Sequence, residues 1–175
     1  MYTTEPFQLE GDDIIVGIFG SSTFINAKKG EGRSIRSLAI ERMVQVIKAI
    51  NPRLVYITPS SGVPLHLTTI LDYLRIPFII VSPSKGHFHR FTKNDKVLLN
   101  KAVKESQSIV VVNNIRANML NLIELEEMSE DFIIDRSDLI LSIYGSAKNS
   151  RDESRHIKLN EIEKNFLPVY GKDKA

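Results

Sequence analysis

The run Ile14-Ile15-Val16-Gly17-Ile18-Phe19-Gly20-Ser21-Ser22-Thr23 is apolar as far as Phe19 and then changes abruptly to small and hydroxylated residues. An unbroken β-branched and aromatic run that stops at glycine is the pattern of a strand buried on both faces, as in a parallel sheet covered by helices. It is therefore expected as the central strand. Small residues after it leave backbone N–H groups uncovered, where an anion or a nucleotide can be received.

The same unit recurs along the chain. After a basic stretch, Phe24 to Arg33, expected as a mobile lid, Ile35, Leu38, Ala39, Met43, Val46, Ile47 and Ile50 fall at helical spacing, with Ser34 as N-cap and Asn51-Pro52 as the stop. Leu54 to Thr58 is a second strand, and it too ends in small residues, Pro59-Ser60-Ser61-Gly62, before a stripe of Val63, Leu67, Ile70, Leu71 and Leu74. Ile76 to Val81 gives a third strand closing at Ser82-Pro83, and Ser84 to Phe91 holds the densest mixture of basic and aromatic residues. Thr92 and Asp95 resemble a capping box that opens a helix to about Glu105. Ser108 to Val112 is a fourth strand. A helix from about Arg116 to Arg136 buries Leu122, Leu125, Met128 and Phe132 and leaves Glu124, Glu126, Glu127 and Glu130 in solvent. Leu139 to Tyr144 is the fifth strand, and one more helix with a short final strand through Val169-Tyr170 closes the chain.

Strands that alternate with helices over connections too long for hairpins specify the fold class: α/β, a Rossmann-like three-layer sandwich with a mostly parallel sheet of about five strands flanked by helices. The 175 residues, 42% hydrophobic, suit a single domain over 1–175, with a short polar N-terminal arm over 1–11 and a flexible basic tail over 172–175. Right-handed crossovers bring the strand ends to one edge of the sheet, where a ligand is expected.

The 23 basic and 21 acidic side chains nearly cancel, so no strong field attracts nucleic acid through its phosphates alone. Absence of cysteine excludes disulfides and thiolate metal sites and fits a reducing compartment. No export signal or membrane-length apolar run is read, so a cytoplasmic protein without membrane contact is expected.

The ligand-contact candidates are Gly20, Ser21, Ser22 and Thr23 after the first strand, Pro59, Ser60, Ser61 and Gly62 after the second, Ser82 after the third, and Gly145 and Ser146 after the fifth. Two neighbouring strands that end in small residues make a shared anion cradle. Lys85, His87 and Arg90 can close over a phosphate while Phe88 and Phe91 offer faces for a base, and Arg116 can reach a phosphate bidentately. Neither turn is a complete dinucleotide or Walker loop, and no Gly-x-Ser-x-Gly elbow surrounds a serine. His87 and His89 lack a third ligand. No cofactor, metal or catalytic residue is therefore assigned, and the reading leans away from an enzyme.

The ordered set Ile18-Phe19-Gly20-Ser21-Ser22, Ile57-Thr58-Pro59-Ser60-Ser61-Gly62-Val63, Ile76 to Pro83, and Ile134-Asp135-Arg136-Ser137-Asp138-Leu139-Ile140 resembles the SLOG superfamily of Rossmann-like domains. That group includes the SMF/DprA DNA-processing proteins, the YpsA-like proteins and the LOG phosphoribohydrolases. The resemblance implies a nucleotide or nucleotide-derived ligand, in binding or sensing, across the ends of the first two strands, lined by Gly20, Ser21, Ser22 and by Pro59, Ser60, Ser61, Gly62. LOG enzymes carry a Pro-Gly-Gly-x-Gly-Thr stretch with a catalytic glutamate, where this chain reads Tyr144-Gly145-Ser146-Ala147-Lys148-Asn149. The alternatives are a LOG-like N-glycosidic-bond hydrolase or transferase and a DNA-processing-type nucleic-acid-binding protein. A homodimer through the segment Arg116 to Arg136 is a further expectation.

Overall fold

The computed structural model describes residues 13–20, 31–60, 62–144 and 150–170. The arm over 1–11, most of the basic lid, and the tail over 172–175 lie outside them. Six strands and five helices alternate among the described residues: β1 (Ile15–Phe19), α1 (Glu31–Ile50), β2 (Leu54–Ile57), α2 (Val63–Tyr73), β3 (Phe78–Ser82), α3 (Lys93–Glu105), β4 (Ser108–Val111), α4 (Leu122–Arg136), β5 (Leu139–Tyr144), α5 (Ser150–Glu161) and β6 (Phe166–Tyr170). A short 3-10 turn, His87–Arg90, precedes α3.

All the strand pairings are parallel, in the order β4-β3-β2-β1-β5-β6. The chain builds outward from β1 to β4 and then crosses back to place β5 on the other side of β1. The sheet has one strand more than the five apolar runs indicate, because β6 is short and contains Pro168, yet it pairs with β5 from Ile140↔Phe166 to Tyr144↔Tyr170. Parallel crossovers that keep one hand must change face when the direction of winding changes. The core divides accordingly. Ala39, Met43 and Ile47 of α1, Val63, Leu67 and Leu71 of α2 and Ala102 of α3 bury one face with Val16, Ile18, Val55, Ile57, Phe78, Ile80, Leu139 and Leu141. Ile133 and Ile134 of α4 and Leu159 of α5 bury the other with Phe19, Val81, Ile140 and Phe166.

β1 is the central strand of the sequence reading, with residues 16–19 buried. Gly17 is required by close approach: a β-carbon there would overlap Ser137 Oγ at 2.6 Å, Ile140 Cδ1 at 2.7 Å and the Ile133 side chain. Asp138 fastens β5 to β1, since Ile15 N donates to Asp138 Oδ2 at 2.8 Å and Asp138 N donates to Ile15 O at 2.7 Å.

Two helix starts differ from expectation. Ser34 is not the N-cap of α1, which begins at Glu31, because an acidic residue at a helix start is favoured by the helix dipole and carries the helix past Ser34. Helix α4 begins at Leu122 rather than near Arg116. The intervening residues fold on asparagine side chains: Asn118 N donates to Asn121 Oδ1 at 2.7 Å, and Leu120 N donates to Asn118 Oδ1 at 2.8 Å. Such local bonds compete with helical ones. The expected cap of α3 is present, Asp95 N donating to Thr92 Oγ1 at 3.2 Å. No helix among the described residues is long and apolar enough to cross a membrane.

Candidate functional site

A small cleft opens at the carboxyl ends of β1, β2 and β3, lined by Phe19, Gly20, Thr58, Ser60, Pro83, His87, Glu126, Ser129, Glu130 and Arg155. Its floor is therefore strand ends, and one wall comes from α4 and α5. Parallel α/β sheets receive ligands at this edge, because there the chain leaves the sheet in loops that are free to vary.

The two small-residue turns meet at this cleft. Gly20 sits against the ring of Pro64, at the first turn of α2, so closely that a β-carbon on Gly20 would come within 2.8 Å of Pro64 Cδ and nearer still to Cγ. Gly20 is small because α2 approaches it. Gly62 has φ 102°, a conformation that favours glycine, with open space where a β-carbon would stand. Ser60 lines the cleft, but its amide already donates to Thr58 O at 2.8 Å and its carbonyl accepts from Leu65 N at 3.1 Å. Its hydroxyl, at 3.5 Å from Thr58 O, is the more available group.

Of the expected contact residues, Gly20, Ser60 and His87 line the cleft. Pro59 is buried and does not line it. Ser82 is buried as well and spends its hydroxyl on Ser84 O at 2.9 Å. Lys85 and Arg116 are exposed, and their backbones pair with each other beyond the ends of β3 and β4. Arg90 ends the 3-10 turn. Ser21, Ser22, Thr23, Ser61, Gly145 and Ser146 lie outside the described residues.

The aromatic pair of the post-β3 loop is occupied elsewhere. Phe88 packs against the core beneath α1, α2 and α3, with His87 and Phe91 set edge-on to it at centroid distances of 5.1 and 5.2 Å. The loop thus contributes an imidazole to the cleft and not a stacking face.

The wall from α4 and α5 is absent from the sequence reading. Glu130 is buried, contrary to the solvated role expected for it, and accepts from Arg155 Nε at 2.7 Å; the two side chains are only 9% and 13% exposed. Arg155 Nη1 also donates to Gly20 O at 3.1 Å, tying α5 and α4 to the end of β1. Glu126, one turn before Glu130, is half-buried and lines the cleft, whereas Glu124 and Glu127 are exposed as expected. The signal for this inner face was the spacing Leu125, Ser129, Ile133 with Glu126, Glu130, Ile134, which runs one position away from the stripe Leu122, Leu125, Met128, Phe132.

Three further polar side chains lie near these elements without lining the cleft. His156 Nε2 and Ser142 Oγ share a hydrogen bond of 3.1 Å between α5 and β5, where Ser142 is buried. Ser84 Oγ is buried without a hydrogen-bond partner. No group of three or more histidine, aspartate or glutamate side chains stands together in a metal-holding arrangement among the described residues.

No protein-family model matches the chain, and no curated protein matches it. A crystal structure provisionally assigned as an aldo-keto reductase from Pseudomonas aeruginosa is similar over 87% of this chain and 71% of its own, at 14% identity and a TM-score of 0.27, which is too low to bear on fold or function.

Proposed function

We propose that the chain binds a nucleotide or a nucleotide-derived small molecule in the cleft at the carboxyl ends of β1, β2 and β3. The observation that carries this reading is the convergence there of Gly20, Thr58, Ser60 and His87 from three adjacent strand ends with the guanidinium of Arg155. A small, largely pre-formed concavity with a few convergent polar groups is the form of a small-molecule site. The hydroxyls of Thr58 and Ser60 suit ribose or phosphate oxygens, and the imidazole of His87, which lines the cleft, would serve an anion as a donor.

Thermal-shift and calorimetric titration with nucleoside mono-, di- and triphosphates, cyclic nucleotides and ADP-ribose tests the reading. A ligand at a hundred times its Kd adds about 2.7 kcal/mol to stability, a rise in Tm of roughly 5–10 °C for a chain of this size. Ser60→Leu should remove that shift and leave the ligand-free Tm in place. Absence of any shift across the panel would overturn the proposal.

A second reading, hydrolysis or transfer at a nucleoside N-glycosidic bond, draws support from one observation: Glu126 and Glu130 both line the cleft. Glu130 is engaged by Arg155, and Glu126, one turn earlier on the same wall, would be the carboxylate that polarises a ribose or positions water. Chromatography for free base released from nucleoside monophosphates separates this reading from simple binding. Activity that falls at least ~100-fold in Glu126→Gln would support it, and no release from any substrate would discard it.

A further inference from the structure

We propose that the β4 edge of the sheet, with the segment leading from it into α4, is where a second copy of this chain docks, the two β4 strands pairing antiparallel across a two-fold axis. This goes beyond the cleft and does not depend on what the cleft binds.

Among the described residues β4 has a neighbour on one side only, β3, so every second residue directs its N–H and C=O away from the sheet. Edge strands of that kind are ordinarily guarded by charges, proline or a bulge. This one is not. From Ser106 to Ile115 the chain has no charged residue and no proline, and the strand itself reads Ser-Ile-Val-Val with three of its four residues exposed. Ile109 pairs with Ile80, which faces the core under α1, α2 and α3, so Ile109 and Val111 project from that face of the edge and are exposed.

On the following segment Ile115 and Ile123 are also exposed, and Met119 and Leu120 are 95% and 96% exposed. Met128 joins them: Asn113 Nδ2 lies 3.7 Å from its sulfur, which holds α4 beside the end of β4. Apolar side chains thus flank an unguarded edge on both faces. Single exposed apolar residues are ordinary, whereas a contiguous group of them marks an interaction surface.

The occupant follows from charge and area. A two-fold interface places a patch against itself, so any charge in it faces its own copy; an uncharged edge is the kind that self-pairs without that repulsion. Ile109, Val111, Ile115, Met119, Leu120, Ile123 and Met128 are between 38% and 96% exposed, and at the ~80–120 Å2 to which the burial free energy of one such side chain corresponds they offer roughly 350–530 Å2 of apolar area per copy. That is a little over half of the ~800 Å2 per partner in a standard interface, close to the ~56–65% apolar share that such interfaces have. Arg116, exposed between Ile115 and Met119 past the end of β4, is the one cation inside the patch among the described residues, and Lys101, Lys104, Glu105, Glu124 and Glu127, all exposed, supply a mixed rim on α3 and α4.

Sedimentation equilibrium on the full chain decides it. Twice the single-chain mass is expected at tens of micromolar, and the double variant Val111→Lys with Leu120→Glu should sediment as one chain with an unchanged circular dichroism spectrum and melting curve. Both positions are exposed, so loss of the dimer without loss of the fold isolates the interface. Leu120→Glu alone, in a side chain that touches almost nothing, should weaken dimerisation at least tenfold. A wild-type chain that remains monomeric at several hundred micromolar, or a dimer that survives the double variant, would overturn the proposal.

Discussion

Arg155 is held at two of its nitrogens, Nε by Glu130 and Nη1 by the Gly20 carbonyl, in a place where neither charge meets much water. Removing one member of such a pair leaves the other buried and uncompensated, which costs more than the pair itself contributes. Glu130→Ala and Arg155→Ala are each expected to destabilise the fold by about 3–5 kcal/mol, read as a lower midpoint in urea at constant m-value. Arg155→Lys should recover only part of that loss, because an ammonium lacks the fork that reaches both acceptors. Gly17 answers to packing instead. With Ser137, Ile140 and Ile133 against its missing side chain, Gly17→Ala overfills the space between β1 and α4 and should cost about 1–3 kcal/mol. The two effects differ in a checkable way: the Arg155 and Glu130 variants should alter ligand response at the cleft, whereas Gly17→Ala should lower stability alone.

At the scale of elements, α4 shows why the site was harder to read than the fold. Its apolar residues are consistent with two stripes one position apart, and in the folded chain Leu125, Ser129, Glu130, Ile133 and Ile134 are the buried ones. A glutamate on the inner stripe looks from sequence like a solvated charge, because its partner Arg155 is 25 residues away on another helix. Periodicity reports which residues face a core and not which charges meet there. Helix pairs carry a pH signature as well. Glu105, exposed at the end of α3, faces Asp72 of α2: the hydrogen bond to Asp72 that only the protonated acid can make, followed by the charge of Asp72, raises its pKa above the ordinary 4.5, while Lys101 and Lys104 pull it down. The folded chain therefore holds this proton more tightly than the unfolded chain. The resulting stabilisation is complete below pH 4.5 and is lost as the pH rises through the raised value. Glu105→Gln keeps the hydrogen bond and removes the charge, so it should raise Tm slightly at pH 7 and leave it nearly unchanged at pH 4. Differential scanning calorimetry at the two pH values checks the difference.

For the whole molecule, the alternation of apolar runs with helical stripes was enough to specify a parallel sheet between helices, since few other arrangements bury both faces of strands such as Ile15–Phe19. Strand order was not legible in the same way. Nothing local to Leu139–Tyr144 says that it returns to β1, and the pairing is written in distant bonds such as Ile15 N to Asp138. That return makes β1 and β5 the interior of the sheet and leaves β4 at its rim, and it predicts an order of opening. Amides in β1 and β5 are covered by a strand on each side and a helix layer on each face, so they should exchange only when the molecule unfolds globally. Residues 108–111, mostly exposed and paired on one side, should exchange through local opening several kcal/mol more easily. Hydrogen exchange followed by NMR on the Val111→Lys, Leu120→Glu variant measures this without a second copy on the edge. Protection in β4 equal to that in β1 would mean that the sheet opens as one unit, and the contrast between its two-sided core and one-sided rim would then have no energetic weight.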